Sequence, residues 1–151
     1  MILNQQREVR VALRPLESFL RRVERELGLE PPDVTVCLVS DAAMARLNEN
    51  FRKRKGPTDV LSFPNVARQK PVRLPHRRPA GNSGRHEYLG DIAISPATAR
   101  RYAKKQERPF SSELRVLILH GVLHVLGYDH ETDRGEMDRI EQKLRKRFGL
   151  T

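Results

Sequence analysis

Residues 114–126, LRVLILHGVLHVL, constrain this chain more than any other stretch. Only Arg115, His120, Gly121 and His124 interrupt the apolar run, and it is too long for a strand. It predicts a helix buried around most of its circumference, which has to sit at the centre of a fold with other elements packed on several sides. His120 and His124 are one turn apart and leave the same face. Gly127 stands where a helix ends in a left-handed residue, and the turn through Tyr128 and Asp129 brings His130 back toward the first two.

A single histidine on an apolar helix is most simply a core residue with satisfied nitrogens. Three of the chain's five histidines at this spacing are a ligand set. Three neutral imidazoles with no fourth protein ligand in the motif describe a catalytic zinc site, because the open position takes water or a substrate oxygen. The expectation is one zinc ion per chain on His120, His124 and His130, with nickel, cobalt and iron also compatible with imidazole. The spacing H-x3-H-x2-G-x2-H is that of metzincin proteases, except that Gly121 stands where those enzymes carry their general-base glutamate.

The rest of the chain supplies partners for the central helix. Ile2 and Leu3 suggest a short strand. Leu13, Leu16, Leu20, Val23 and Leu27 recur at spacings of three and four, with Pro15 in the first turn and Gly28 at the end, as in an amphipathic helix. Residues 34–39 read as a strand buried on both faces, and Ser40 as the cap of a helix carrying Met44, Leu47 and Phe51. Residues 60–63 form a strand stopped by Pro64, and 88–95 another with Gly90 inside it, a mark of close approach by a neighbour. Ser95 and Pro96 open a further helix, Ser111 and Ser112 are candidate caps of the histidine helix, and a last helix from Thr132 or Asp133 buries Met137, Ile140, Leu144 and Phe148. The expected architecture is α+β, a single domain over residues 1–151, with a mixed sheet of about four strands and about five helices around the buried histidine helix.

Charge narrows the partners. The formal net charge is +10, which favours a polyanion, and nucleic acid is the commonest one. Two basic stretches stand out: residues 52–55, between a helix and a strand, and residues 65–87, a Pro/Gly-rich loop insertion with Arg68, Lys70, Arg73, Arg77, Arg78 and Arg85 and no acid before Glu87. Both are candidates for phosphate contact, and both also read as solvated surface. Five Phe, three Tyr and no Trp leave little for base stacking, so grip has to come from backbone charge. Cys37, alone and in an apolar run, is a core thiol and fits a reducing compartment. No signal sequence or membrane-length apolar run is present, so a cytoplasmic location is expected.

With these residues in view, the sequence resembles the YbeY family of single-strand-specific endoribonucleases, metalloproteins of ribosomal RNA maturation. The resemblance rests on PTDVLSFP at 57–64, LGDI at 89–92 and HGVLHVLGYDH at 120–130, in the family's order. It implies zinc on His120, His124 and His130, catalytic roles for Arg52 and His120, and single-stranded RNA as substrate. It further implies work at the 3′ end of small-subunit ribosomal RNA in contact with the ribosome, and a part in ribosome quality control. Phe51 stands where the family often has tyrosine, and the loop at 65–87 is longer than the family suggests.

The mechanism expected on this basis places Arg52 against the scissile phosphate, its planar fork offsetting charge on the equatorial oxygens. Without a glutamate at 121, the proton goes to no side chain at all or to Asp59, Asp91 or Asp129, and Asp129 is alternatively the acceptor for a ligand imidazole's second N–H. Two rival readings are a zinc hydrolase of peptides or small molecules, and a ribosome-associated binding protein whose metal only braces the fold.

Overall fold

The computed structural model describes residues 1–30, 33–65, 88–129 and 132–150. His130 and all of the 65–87 insertion except Asn65 lie outside the described residues. Within them the order is β1 (Ile2–Asn4), α1 (Leu13–Glu26), β2 (Val34–Leu38), α2 (Asp41–Arg52), β3 (Val60–Pro64), β4 (Gly90–Ile94), α3 (Pro96–Lys105), α4 (Phe110–Val125) and α5 (Glu136–Arg147). The strands form one sheet in the order β1-β2-β4-β3, the first three parallel and β3 antiparallel to β4. This is the mixed α+β sheet of four strands with five helices that the hydrophobic periods predict.

Alternation along the strands feeds two layers of core. Val34, Val36, Leu38, Ile92 and Ile94 face the large core with α1 and α4. Val39, Leu61 and Ala93 point the other way, onto Met44 of α2. The helix α4 is central, packing against β3, β4, α1, α3 and α5, and Leu114, Ile118, Leu119, Val122, Leu123 and Val125 are buried. No helix of the described residues is long and apolar enough to cross a membrane.

Helix ends obey local chemistry, with two departures from expectation. Ser40 Oγ accepts from Ala43 N, and Ser95 Oγ from Thr98 N with Pro96 in the first turn, as read from sequence. Asp41 then joins the two caps: its carboxylate accepts from Ser95 Oγ and Thr98 Oγ1, each at 2.6 Å, and pairs with Arg101 at 2.9 Å. Ser111 and Ser112 are not caps. The helix starts one residue earlier at Phe110, Pro109 holds the N-cap position, and the first-turn Glu113 pairs with Arg108 at 3.1 Å. The last helix begins at Glu136, with Asp133 accepting from the backbone of Gly135 and Met137 ahead of it. Phe51 is not buried; it is 65% exposed at the end of α2 and meets the edge of Phe63, ring centroids 5.2 Å apart.

One buried group runs against the core's logic. Glu24 of α1 is fully buried, and neither carboxylate oxygen has a hydrogen-bond partner among the described residues. Loss of hydration pushes its pKa above the ordinary 4.5. A carboxyl whose pKa is raised by folding gives its full contribution to stability below the unfolded-state pKa and loses it as pH rises through the folded-state value. Glu24→Met is therefore expected to raise the melting temperature, with the larger gain at pH 8 than at pH 5, corresponding to about 1–3 kcal/mol for removal of an unpaired buried polar group. Thermal unfolding at the two pH values checks this, and an equal or negative shift at both would mean that the carboxylate is satisfied.

Candidate active site

The C-terminal turns of α4 carry the candidate ligands, and the closure of that helix end sets the direction of the chain beyond them. Gly127 adopts φ +107°, and two backbone bonds close the end, Gly127 N to His124 O and Tyr128 N to Leu123 O. This paired closure with a left-handed glycine turns the chain sharply beside His124. The sequence anticipates the turn; His130, three residues beyond the glycine, lies outside the described residues.

His120 and His124 meet as the spacing predicts. Their Nε2 atoms face each other at 3.0 Å, with the rings at 73°. Two nitrogens bound tetrahedrally at zinc–nitrogen lengths stand about 3.3 Å apart, so both lone pairs fit one ion with little movement. On the far side of its ring, His120 Nδ1 is 2.7 Å from Glu141 Oε1, a side chain of α5 that is 7% exposed. Sequence reading assigns such a contact to Asp129 and overlooks Glu141. The signal is present: Glu141 sits four residues after Met137 and three before Leu144, in the middle of the helix face that enters the core. Among the described residues no group of three or more His, Cys, Asp or Glu side chains gathers to hold a metal.

The two histidines open into a cleft of about 710 Å³ along the free side of β3, the edge strand. Arg52, Arg54 and Lys55 line it, as do Asp59 and Asp129. The basic segment is held there by the end of α2. Lys53 takes the left-handed conformation at φ +57° that stops the helix, and Asn48, itself buried, donates from Nδ2 to Gly56 O at 2.9 Å. Asn48 is a second residue sequence reading passes over; an Asn on a helix's inner face four residues before an arginine is its only mark. Asp91 is not among the cleft residues. It accepts a hydrogen bond from Tyr88 Oη and points from the sheet. Cys37 is only partly buried, packed against the smaller core, and burial, with Asp91 nearby, pushes its thiol's pKa up.

The position after His120 has a steric reason to be glycine. A Cβ on Gly121 would stand 2.7 Å from Ile92 Cγ2 and 2.9 Å from its Cδ1, so α4 lies too close to β4 for any side chain. Gly121 O also accepts a hydrogen bond from Ser62 Oγ of β3 at 3.4 Å. A glutamate pointing from this position into the cleft is excluded by the helix seat. Gly90 marks the second close approach anticipated from sequence: a Cβ there would collide with Phe63 O of the neighbouring strand.

A small mixed sheet carrying a central helix, with two converging imidazoles at one end of a cationic cleft, defines an α+β protein whose candidate active site combines nitrogen ligands with phosphate-binding charge. Comparison with known proteins narrows the class. Residues 1–149 match the family described as Endoribonuclease YbeY. The chain is 40% identical to the Endoribonuclease YbeY of Solibacter usitatus, over 89% of this chain and 78% of that one, and 36% identical to that of Koribacter versatilis, over 99% and 86%. A Thermotoga maritima protein solved in solution shares the fold with a TM-score of 0.57 and 28% identity, over 95% of this chain and 85% of that one. The chain belongs to the endoribonuclease YbeY family.

Gly121→Ala is expected to destabilise the fold by about 1–3 kcal/mol through overpacking. Adding Ile92→Ala should make the double variant less unstable than the two single losses summed, as read in urea unfolding. Strict additivity would show that helix and strand do not meet at this point.

Proposed function

We propose that this protein is a metal-dependent endoribonuclease that cuts single-stranded RNA in the cytoplasm during ribosomal RNA maturation, at the 3′ end of the small-subunit RNA, and that it serves ribosome quality control. Family membership supports the RNA substrate. The observation that carries the metal-centred reading is the pair of Nε2 atoms facing each other at 3.0 Å in a cleft lined by Arg52, Arg54 and Lys55. His120 and His124 would hold one zinc ion with His130, in the single domain of residues 1–151, and the basic insertion at 65–87 would add contacts to the RNA backbone.

The ion when bound supplies Lewis acidity toward a phosphate oxygen and lowers the pKa of water toward about 7. The chain's own groups do the rest. Arg52 sets its guanidinium against the scissile phosphate and offsets the charge that grows on its oxygens. Arg54 and Lys55 bind flanking phosphates and fix the strand along the edge of β3. The attacking hydroxyl's proton passes to a carboxylate oxygen of Asp59 or Asp129, the two acids in the cleft. Peptide hydrolysis is disfavoured, because the seat of Gly121 against Ile92 excludes the metzincin glutamate.

Cleavage of a single-stranded RNA by tag-free protein is expected to require metal and to fall to background in His124→Ala, while casein stays intact. RNA cleavage that survives both metal removal and His124→Ala would defeat the reading. A cyclic phosphate on the new 3′ end identifies the ribose 2′-hydroxyl as attacking group, and a 3′-hydroxyl facing a 5′-phosphate identifies water.

The cations divide into two roles with separate readouts. Arg52→Ala should lower turnover by about 10²–10³-fold with much less effect on RNA affinity. Replacing Arg54 and Lys55 together by Ala should weaken binding and flatten its logarithmic salt slope by about 1.4, roughly 0.7 per lost phosphate contact on a single strand. Equal losses of turnover and affinity in Arg52→Ala would make it a binding residue.

A further inference from the structure

The contact behind His120 carries an inference that rests on His120 and His124 being metal ligands but concerns a residue neither the family resemblance nor the site motif includes. Glu141 is carried into the core by α5, between Met137 and Leu144, and is 6% exposed. One carboxylate oxygen lies 2.7 Å from His120 Nδ1, and the other lies 3.6 Å from an Nη of Arg145, one helical turn further on. The imidazole and the guanidinium are the partners that the fold brings to this buried carboxylate. A hydrogen on Nδ1 would be donated to Glu141 at this distance and would leave the lone pair on Nε2, the atom that faces His124.

We propose that Glu141, steadied by Arg145, is a positioning residue that sets the tautomer, the ring plane and the donor strength of His120, and so tunes how tightly the cleft holds its metal. Hydrogen bonding from a ligand imidazole to a carboxylate orients the ring and raises its basicity, and loss of such a partner weakens metal affinity by about 10–100-fold. The packing of α5 against α4 thereby becomes part of the site, because the carboxylate reaches Nδ1 only while Met137 and Leu144 stay buried.

Two measurements on the full chain, free of tags, test this. In metal-free wild-type protein at pH 8, long-range proton–nitrogen NMR of the imidazoles should report His120 protonated on Nδ1 and bare on Nε2; the opposite tautomer overturns the proposal without any substitution. Zinc affinity is then read by competition with a chromophoric chelator, beside the melting temperature of each metal-free protein. Wild type should bind one zinc ion per chain, and Glu141→Gln should bind one zinc ion about 10–100-fold more weakly. Arg145→Met should give a smaller loss in the same direction. Unchanged affinity in Glu141→Gln, with wild type binding normally, overturns the role of Glu141 alone. Wild type that binds no zinc overturns the ligand reading beneath it. If Glu141→Gln melts too low to titrate, Arg145→Met and the wild-type tautomer decide: an Nδ1-protonated ring with weakened binding supports the proposal, and full affinity in Arg145→Met with an Nε2-protonated ring rejects it.

Discussion

Contact between Gly121 and Ile92 sets how closely α4 lies on the sheet, and most of the site depends on that distance. With no side chain at 121, Ile92 of β4 occupies the space that a Cβ would need. Ser62 of β3 then reaches Gly121 O, which ties the edge strand to the same helix turn that presents His120. The imidazoles, the edge strand and the cleft between them are therefore positioned by one steric contact in a close-packed interior, where a methyl group is felt. The same contact forecloses a side-chain base beside the first histidine. The acids that do line the cleft, Asp59 and Asp129, reach it from its other walls.

Charge in the cleft is arranged by helix ends. The histidines stand in the last turns of α4, where carbonyl groups carry partial negative charge and favour a bound cation. Arg52 stands in the last turn of α2, and Lys53 breaks that helix so the next bases turn toward the cleft instead of continuing along the helix surface. Asn48 makes the break reproducible by holding Gly56 from the helix interior. A phosphodiester entering here would meet three cationic side chains carried on the segment that Asn48 anchors. Phe51, exposed next to Arg52, offers one ring, so an RNA strand in this cleft would be held by its backbone far more than by its bases.

Much of this is legible in the chain because it is periodic or local. The short apolar runs at 34–39 and 88–95 give the strands, the three-and-four spacing gives α1 and α5, and Ser40, Ser95 and Gly127 announce helix ends by chemistry confined to a few neighbours. The histidine pair is readable for the same reason, since a four-residue spacing on a helix guarantees a shared face. What escapes is set by long-range contact. Whether Asp91 or Asp59 faces the cleft depends on which side of the sheet each meets, and the sequence treats them alike. Glu141 hides because polar residues on an apolar helix face read as interruptions until the partner across the interface is known. Ser111 looks like a cap, yet the preceding Phe110 already belongs to the helix, because its ring packs against the core and draws the first turn back to Pro109.

Two deeply buried glutamates show how differently a folded chain treats the same side chain. Glu24 in α1 has no hydrogen-bond partner for either oxygen among the described residues, and burial raises its pKa. Glu141 is met by an imidazole on one oxygen and approached by a guanidinium on the other. Burial raises the pKa of Glu24 although the N-terminal ammonium and Arg21 favour its charged form, whereas Glu141 has an imidazole and a guanidinium in close contact. Glu24 does not line the cleft, whereas Glu141 stands directly behind a ring that does. A fold that concentrates the compensating groups at one carboxylate and leaves the other bare has made that charge useful at one place, and the useful place is directly behind a histidine whose other nitrogen opens into the cleft.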